Sequence, residues 1–244
     1  MALLKADLHI HTAEDPEDLV FYRATELIDM ANTYGYSVLS ITNHNCVTYS
    51  EYLRDYARER GIVLIPGMEA TIEGRHVLLY NMDFPSLDRR SLPGLAKIKT
   101  DQGLVMAPHP YYPSPLALRG LLRSNISLFD AIEFCHFYTG HVNFNQFAQR
   151  LSRLSGLPMV GTSDAHQRCQ FHTTYSIIDA EPDLPSVIQA IKLGKVEVVT
   201  RPLPLPFLMK VNFRMFWRNK VVKKLISADS NGAAEEDRDC RLFR

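Results

Sequence analysis

The sequence lacks the features that would place it in several large classes of protein. Lysine plus arginine and aspartate plus glutamate each number 27, so no net charge attracts nucleic acid or acidic lipid. No basic stretch followed by an apolar one marks a secretory signal, and no apolar run has the length of a membrane span. The four cysteines include no CxxC pair, which argues against a Cys-type structural zinc site. We therefore expect a cytoplasmic protein.

What the sequence does contain, up to about residue 200, is an alternation of short apolar runs and amphipathic stretches. The runs lack polar alternation, which is typical of strands buried on both faces, and cover residues 6–10, 37–42, 62–66, 76–80, 104–107, 131–134, 159–161, 175–178 and 196–199. A helical periodicity marks residues 17–33, 49–60, 141–154 and 184–193. This alternation predicts parallel βα units, closed into a barrel or wound into an open sheet.

The composition changes after residue 201. A proline-rich connector leads into residues 207–226, which carry six basic side chains and no acidic one among Phe, Met, Trp and Val. This segment suits either a helix packed on the rest of the domain or a peripheral contact with a membrane or a phosphate backbone. Packing is favoured because its aromatic residues form no single stripe. We therefore divide the chain into a domain over residues 1–201, a connector and basic segment over 202–226, and a disordered tail over 227–244.

Histidines and carboxylates lie at the ends of nearly all of the predicted strands. These residues are His9, His11, Asp15, His44, Glu69, His76, His109, Asp164 and His166. The carboxyl ends of parallel strands converge on one face, so these side chains are expected to meet there. A single histidine is more often structural than ligating, but the recurrence of histidine at strand ends favours metal binding.

The spacing and number of these residues indicate more than one metal ion. His9 and His11 are two residues apart, as are Asp164 and His166, and side chains two apart on a strand point the same way. Six imidazoles and three carboxylates exceed the capacity of one ion and suit two or three divalent ions, with Glu69 as the expected bridge. Nitrogen and oxygen ligands suit Zn²⁺, Mn²⁺ or Fe²⁺. Such clusters activate water and bind phosphoryl oxygens.

The motifs around these residues resemble, in order, those of the polymerase and histidinol phosphatase (PHP) superfamily. They are Asp-Leu-His-Ile-His-Thr, Thr-Asn-His, Pro-Gly-Met-Glu, Arg-His-Val-Leu-Leu, Ala-Pro-His-Pro and Ser-Asp-Ala-His. The resemblance covers roughly residues 1–201. It implies an α/β fold, a distorted (βα)₇ TIM-like barrel, in which the nine residues named above hold two or three metal ions that hydrolyse phosphoesters.

Two positions depart from the motifs of that superfamily. Asn43 replaces the usual aspartate before His44, which would weaken a hydrogen-bond acceptor if this side chain supports the ligand. The acidic residue after the first histidine pair usually comes one position later than Asp15. Glu14 and Asp18 therefore compete with Asp15 as the third carboxylate ligand.

Other residues are candidates for supporting roles. Arg75 and Arg168 adjoin predicted ligands and suit binding of a substrate phosphate, although a solvated surface arginine is an equal alternative. Glu133 lies inside a predicted strand and suits support of a ligand. Three further histidines are expected to be structural or to face the substrate: His136, His141 and His172.

The leading functional hypothesis is a hydrolase that uses metal-activated water on a small phosphorylated metabolite or nucleotide. One alternative is a nuclease that trims nucleic-acid ends, against which the neutral charge argues. The other is a non-catalytic metal-binding regulatory domain, which loss of several ligands would indicate.

Overall fold

The computed structural model describes residues 2–84 and 91–223, which form ten strands and seven α-helices. The strands are β1 (Ala2–Asp7), β2 (Val38–Leu39), β3 (Val63–Leu64), β4 (Gly67–Ile72), β5 (Arg75–Tyr80), β6 (Leu104–Ala107), β7 (Ala131–Cys135), β8 (Met159–Thr162), β9 (Thr174–Ala180) and β10 (Val196–Thr200). The helices are α1 (Ala24–Thr33), α2 (Glu51–Arg58), α3 (Leu92–Ile98), α4 (Gly120–Ser124), α5 (Asn145–Ser155), α6 (Leu184–Lys192) and α7 (Leu205–Trp217). A π-helical turn (Arg218–Val222) continues α7. The predicted tail over residues 227–244 lies outside the described residues.

The strands form two mixed five-stranded sheets. The first has the order β10-β9-β1-β2-β3, in which β1, β2 and β3 are parallel and β9 and β10 are antiparallel to their neighbours. The second has the order β4-β5-β6-β7-β8, in which β4, β5 and β6 are antiparallel and β6, β7 and β8 are parallel. The expectation of a purely parallel arrangement is therefore wrong.

A tight hairpin accounts for part of this difference. β4 and β5 pair antiparallel across the two-residue turn Glu73-Gly74. Both turn residues have positive φ, 50° at Glu73 and 72° at Gly74, which is typical of the type I′ turn that joins twisted antiparallel strands. No strand is predicted at Gly67–Ile72, but β4 lies there. Glu69 therefore lies within a strand and not in the loop predicted for it.

The two sheets face each other across a shared core. Leu4 and Ile178 of the first sheet are buried in one cluster with Leu78 and Met106 of the second. The Tyr80 hydroxyl crosses this core and donates a hydrogen bond to the Leu8 carbonyl oxygen at 2.8 Å. Each such aliphatic side chain contributes about 1.5–3 kcal/mol when fully buried. The interior between the sheets is therefore the main apolar core of this part of the chain.

The sheets also meet where their strands end. Isolated parallel bridges pair Ile10 with Ala165 and His44 with Glu69. Among the described residues, the strand pairings give two sheets and no single closed barrel. The predicted α/β class is confirmed, whereas the seven-stranded barrel is not shown. Both bridges contain or adjoin predicted metal ligands, so the junction of the sheets is the place to examine for a site.

The first predicted strand is displaced along the sequence. β1 ends at Asp7, and the chain then leaves the sheet, with the Ile10 amide donating to Thr42 Oγ1 and the His11 amide to the Ala165 carbonyl. Similarly, α1 begins at Ala24 and not at residue 17, because residues 14–22 form a loop after the histidine pair. The apolar periodicity of that loop reflects buried anchors such as Tyr22.

Among the described residues, the C-terminal helix packs against the domain through one side. Val211 is buried with Cys135 and Phe137, which favours packing over the alternative of a peripheral contact. The opposite side leaves several large apolar side chains exposed, namely Leu205, Met209, Phe213, Phe216 and Trp217. In residues 2–84 and 91–223 no helix has both the length and the apolar character needed to cross a bilayer.

A glycine in β8 allows the two sheets to approach, and its replacement is expected to destabilise the protein. A Cβ atom at Gly161 would lie 2.7 Å from the Tyr175 carbonyl oxygen and 2.8 Å from Val198 Cγ1. Gly161→Ala should lower the free energy of unfolding by about 1–3 kcal/mol, because strand backbone cannot move aside cheaply. Urea denaturation measures this change. Gly140→Ala, where the added atom meets nothing within 4 Å, is the control, and equal stability of both variants would contradict the prediction.

Candidate metal centre

The predicted ligands converge where the two sheets meet. His9 and His11 follow β1, and Glu69 lies in β4 on the other sheet. All nine predicted residues are withdrawn from solvent, and the most accessible of them, His109, has a side chain that is 11% exposed. Three groups of side chains place ligand atoms within 4.8 Å of one another: His9, His11 and Asp164; His44, Glu69 and His76; and His11, His44 and His166. The structure therefore brings the predicted ligands into one cluster.

Five distances among four ligand atoms in this cluster are those expected for side chains that share a metal ion. His9 Nε2 lies 3.2 Å from both His11 Nε2 and Glu69 Oε2, and 3.4 Å from Asp164 Oδ1. His11 Nε2 lies 3.3 Å from Glu69 Oε2 and 3.5 Å from Asp164 Oδ1. Two ligand atoms that are each about 2.0–2.1 Å from a tetrahedral ion are about 3.4 Å apart. The four side chains therefore fit one divalent ion, which we call position 1.

The second oxygen of Glu69 faces a different pair of histidines. Glu69 Oε1 lies 2.7 Å from His76 Nδ1 and 3.1 Å from His109 Nε2. These three atoms define position 2, and the one carboxylate adjoins both positions. Burial raises the pKa of Glu69, but the facing imidazoles of His76, His9 and His44 outweigh this effect and hold its pKa well below the usual range. Glu69 is therefore an ionised carboxylate with a separate oxygen for each position.

A third group of ligand atoms lies on the other side of His11. The ring of His11 stacks on the rings of His166 and His44, with centroids 4.0 and 4.4 Å apart. Asp18 Oδ2 lies 2.8 Å from His166 Nε2. His44, His166 and Asp18 define position 3. Asp164 and His166, which the sequence places on one ion, thus fall in different groups.

The three competing carboxylates after the histidine pair have three different surroundings. Asp15 Oδ2 accepts hydrogen bonds from Nδ1 of His11 at 2.8 Å and from Nδ1 of His44 at 2.9 Å, which leaves both Nε2 atoms for a metal. Glu14 accepts from the amide of Ala24 at the start of α1, away from the cluster. Asp18 alone of the three faces His166. Asp15 therefore faces the Nδ1 atoms of two histidines, whereas Asp18 faces Nε2 of a third.

Glu133 has the corresponding orienting position for His9. Its Oε1 atom accepts a hydrogen bond from His9 Nδ1 at 2.6 Å and another from the Thr162 hydroxyl. Its Oε2 atom accepts from the backbone amide of His109. A carboxylate on the second imidazole nitrogen fixes the tautomer and the direction of a ligating histidine. The supporting role expected for Glu133 thus matches its contacts.

Two of the predicted ligands have strained backbone. His109 has φ of 28° and Asp164 has φ of 44°, in the left-handed region that residues with a Cβ rarely adopt. Such a conformation costs of the order of 1–3 kcal/mol and persists only where the surrounding structure enforces it. The hydrogen bond from the His109 amide to Glu133 is one such constraint.

The remaining sequence candidates lie outside the cluster. Asn43 Oδ1 accepts from the Thr12 amide, and its Nδ2 donates to the Thr12 and Thr48 hydroxyls, so this side chain joins two loops and does not support His44. Arg168 is 60% exposed and pairs with Glu26 of α1.

Arg75 directly precedes His76 in β5, and neighbouring strand residues point to opposite faces. Neither arginine is therefore brought to the ligand atoms.

The other three histidines have separate surroundings. His136 is buried, and burial lowers its pKa to about 3, so it is neutral. Its Nδ1 atom lies 2.8 Å from Thr173 Oγ1, and its Nε2 atom accepts from Gln170, whose Oε1 atom in turn accepts from the amide of His166. His172 stacks on Tyr175, with ring centroids 5.1 Å apart. His141 is exposed. Gln170 is a support for His166 that no pattern in the sequence indicated.

Comparisons with known proteins show which sequences and folds this chain resembles. No family model matches the chain. The uncharacterized protein MJ1587 of Methanocaldococcus jannaschii is 34% identical over 126 residues, which cover 47% of this chain and 72% of that protein. A two-domain protein of Bacteroides vulgatus, described as containing a predicted PHP-like metal-dependent phosphoesterase, has a TM-score of 0.65 at 21% identity, over 88% of this chain and 70% of that one. The chain belongs to the MJ1587 family and has the PHP fold.

A second structural likeness is to a nuclease with the same fold. The lesion-specific endonuclease PfuEndoQ of Pyrococcus furiosus has a TM-score of 0.54 at 11% identity, over 86% of this chain and 66% of that one. The resemblance to the PHP superfamily that the motifs indicated is thus confirmed at the level of the fold.

Metal uptake by this PHP-fold protein is expected to release protons. Burial lowers the pKa values of His9 and His11, but the carboxylates of Asp164, Glu69 and Asp15 outweigh it and hold both pKa values well above the usual range. Protonated imidazole cannot bind a metal, so affinity should rise with pH until these groups lose their protons. Isothermal titration at pH 7 in buffers of different ionisation enthalpy measures the protons released. Enthalpies that are independent of the buffer would contradict the prediction.

Removal of the charge on Glu133 is expected to weaken metal binding by the PHP-fold protein without preventing folding. Glu133→Gln keeps the shape of the side chain but loses the strong acceptor for His9 Nδ1, and the loss of such a partner typically costs about 10–100-fold in affinity. Competition with a fluorescent chelator measures the change. Glu197→Gln, at an exposed position of β10, is the control and should bind as the native protein does. Equal affinity of all three proteins would contradict the orienting role.

Proposed function

We propose that this chain is a hydrolase that cleaves phosphoester bonds with water activated at a cluster of two or three divalent ions. The observation that supports this most directly is the close approach of ligand atoms of Glu69 and Asp164 to those of His9 and His11. Nitrogen and oxygen ligands without thiolate suit Zn²⁺, Mn²⁺ or Fe²⁺. The PHP-like phosphoesterase and endonuclease neighbours support a hydrolase of this kind.

Each residue of the centre has a separate task in this proposal. Glu69 bridges positions 1 and 2, and Asp18 completes position 3. Divalent ions held this way lower the pKa of a bound water and offset the charge that develops on phosphoryl oxygens. Asp15 and Glu133 keep the imidazoles in the tautomer that presents Nε2 to the site. Because these hydrogen bonds exist before substrate binds, the ligands need little rearrangement during the reaction.

The proposed substrate is a small phosphorylated metabolite or nucleotide. Equal numbers of basic and acidic residues favour a small substrate over a long polyanion. Arg168 remains a proposed phosphate contact, for which it has to leave Glu26.

The second candidate function is cleavage of nucleic acid. The likeness in fold to PfuEndoQ favours it, because that protein is a lesion-specific endonuclease. The balance of 27 basic and 27 acidic residues argues against it, since phosphate-backbone binding draws mainly on Lys and Arg. The small substrate is therefore the first hypothesis to test.

Metal analysis followed by an activity screen tests the proposal. The protein, purified without chelators and supplied with Mn²⁺, is expected to hold at least two ions and to release phosphate from a nucleoside monophosphate, a nucleoside bisphosphate or histidinol phosphate. Cleavage of short oligonucleotides alone would favour the nuclease. A protein that binds ions but acts on none of these would favour a regulatory domain, and a protein that binds no added metal would overturn both enzymatic hypotheses.

Substitution of position 1 tests the residues themselves. His9→Ala and Asp164→Asn should each reduce turnover by at least about 100-fold, because each removes one of four ligands to the same ion. His141→Ala, at an exposed histidine outside the cluster, should act as the native protein does. Circular dichroism checks that all variants fold. Unimpaired hydrolysis by both position 1 variants would refute the metal assignment.

A further inference from the structure

The C-terminal helix contacts the loop that carries Asp18. The π-helical turn after α7 and the residue that follows it make three contacts with this loop, which spans residues 14–22. The guanidinium of Arg218 lies over the ring of Phe21, 4.5 Å from its centroid. Lys223 Nζ donates hydrogen bonds to the carbonyl oxygens of Pro16, at 2.9 Å, and Glu17. A segment remote in sequence thus contacts the loop on both sides of Asp18.

Asn219 lies between these two contacts and binds Asp18 directly. Its Nδ2 atom donates to Asp18 Oδ1 at 2.7 Å, and its Oδ1 atom accepts from the amide of Leu19 at 2.9 Å. The other oxygen of Asp18, Oδ2, lies 2.8 Å from His166 Nε2. The amide of Asn219 therefore fixes one carboxylate oxygen and leaves the second directed at position 3.

The loop has little else to hold the Asp18 carboxylate. Its backbone amide donates to Asp15 Oδ1 at 2.8 Å, which fixes the main chain at this point. The side chain is 21% exposed, so solvent competes for its oxygens. Without Asn219, the contact with His166 Nε2 is the one remaining side-chain contact that the described residues give to this carboxylate. Ordering a side chain in advance lowers the entropic cost of the binding that follows.

The backbone around Asn219 is itself irregular. The helix changes from α to π at Arg218–Val222. Single π turns inside α-helices are rare and frequently lie at functional sites, because the wider turn redirects side chains. Here the turn directs Asn219 and Lys223, four residues apart, at the same loop.

We propose that Asn219 is a positioning residue for the metal centre: the C-terminal helix completes position 3 by fixing Asp18 toward His166. This inference rests on the proposed metal centre and assigns to residues 202–223 a part in it. The basic segment, for which the sequence favours packing on the domain, thereby also strengthens binding of the third ion.

Metal stoichiometry in matched variants tests the inference. The native protein, Asn219→Ala, Asp18→Asn and the double variant are stripped of metal, titrated with Mn²⁺ and analysed for bound ions by mass spectrometry after gel filtration. Asn219→Ala should retain positions 1 and 2 and bind the third ion about 10–100-fold more weakly. Asp18→Asn should show the same selective loss, and the double variant no further loss, because both changes act on one interaction.

The controls separate a positioning effect from a loss of structure. Lys220→Ala removes an exposed neighbour on the same π turn and should bind ions as the native protein does. Thermal unfolding in the presence of chelator should give similar midpoints for the native protein and Asn219→Ala, whereas a merely structural role predicts a lower midpoint and equal weakening of all ions.

Failure of the inference and failure of the proposed function give different results. A native protein that binds no Mn²⁺ overturns the metal centre as a whole. A native protein with three ions whose Asn219→Ala variant binds all three with unchanged affinity overturns only the role of Asn219. A native protein with two ions, both unaffected by Asp18→Asn, also overturns that role while leaving positions 1 and 2 intact.

Discussion

The centre depends on the burial of the Glu69 carboxylate among imidazoles. A carboxylate withdrawn from water loses hydration worth several kcal/mol, which only opposing charges or hydrogen-bond donors can offset. Glu69 is 1% exposed, and histidines face both of its oxygens. Two of these histidines, His9 and His44, are fixed through their other ring nitrogen by buried carboxylates. Removal of Glu69, or of one of the histidines and carboxylates around it, therefore leaves buried charge without its partner. The contacts that stabilise this part of the fold are the same contacts that form the site.

The antiparallel pairing of β4 and β5 places two residues of the centre beside each other. In the β4–β5 hairpin, Glu69 pairs with Leu78 and Thr71 with His76, so Glu69 and His76 are diagonal neighbours on one face. Diagonal side chains across antiparallel strands lie within reach of each other when they are long. A parallel pair would need a crossover of a dozen or more residues between the same two side chains. The tight turn thus delivers two ligands of position 2 from a segment of only a few residues.

The sequence predicts which side chains meet at the junction of the sheets better than it predicts their individual contacts. His9, His11 and Asp164 are identifiable as members of the cluster because histidines and carboxylates recur after apolar runs, and this regularity survives errors in strand boundaries. The distinction between Asp15 and Asp18 was not predictable, since it depends on which carboxylate the loop turns toward His11 and which toward His166. Likewise, the β4–β5 hairpin was missed because residues 67–72 carry a buried glutamate where an apolar strand residue is expected.

The hydrogen bond between Asp18 and Asn219 joins residues 201 positions apart in sequence. Contacts between residues so far apart in sequence form late in folding, because closing a large loop costs conformational entropy before the new contact stabilises the chain. On the ribosome, where synthesis runs from the N-terminus, the Asp18 loop cannot make this contact until residue 219 has emerged. The first histidine pair is therefore synthesised long before the residue that fixes the loop beside it. A nascent chain arrested before residue 219 would carry the histidine pair without the contact that fixes Asp18.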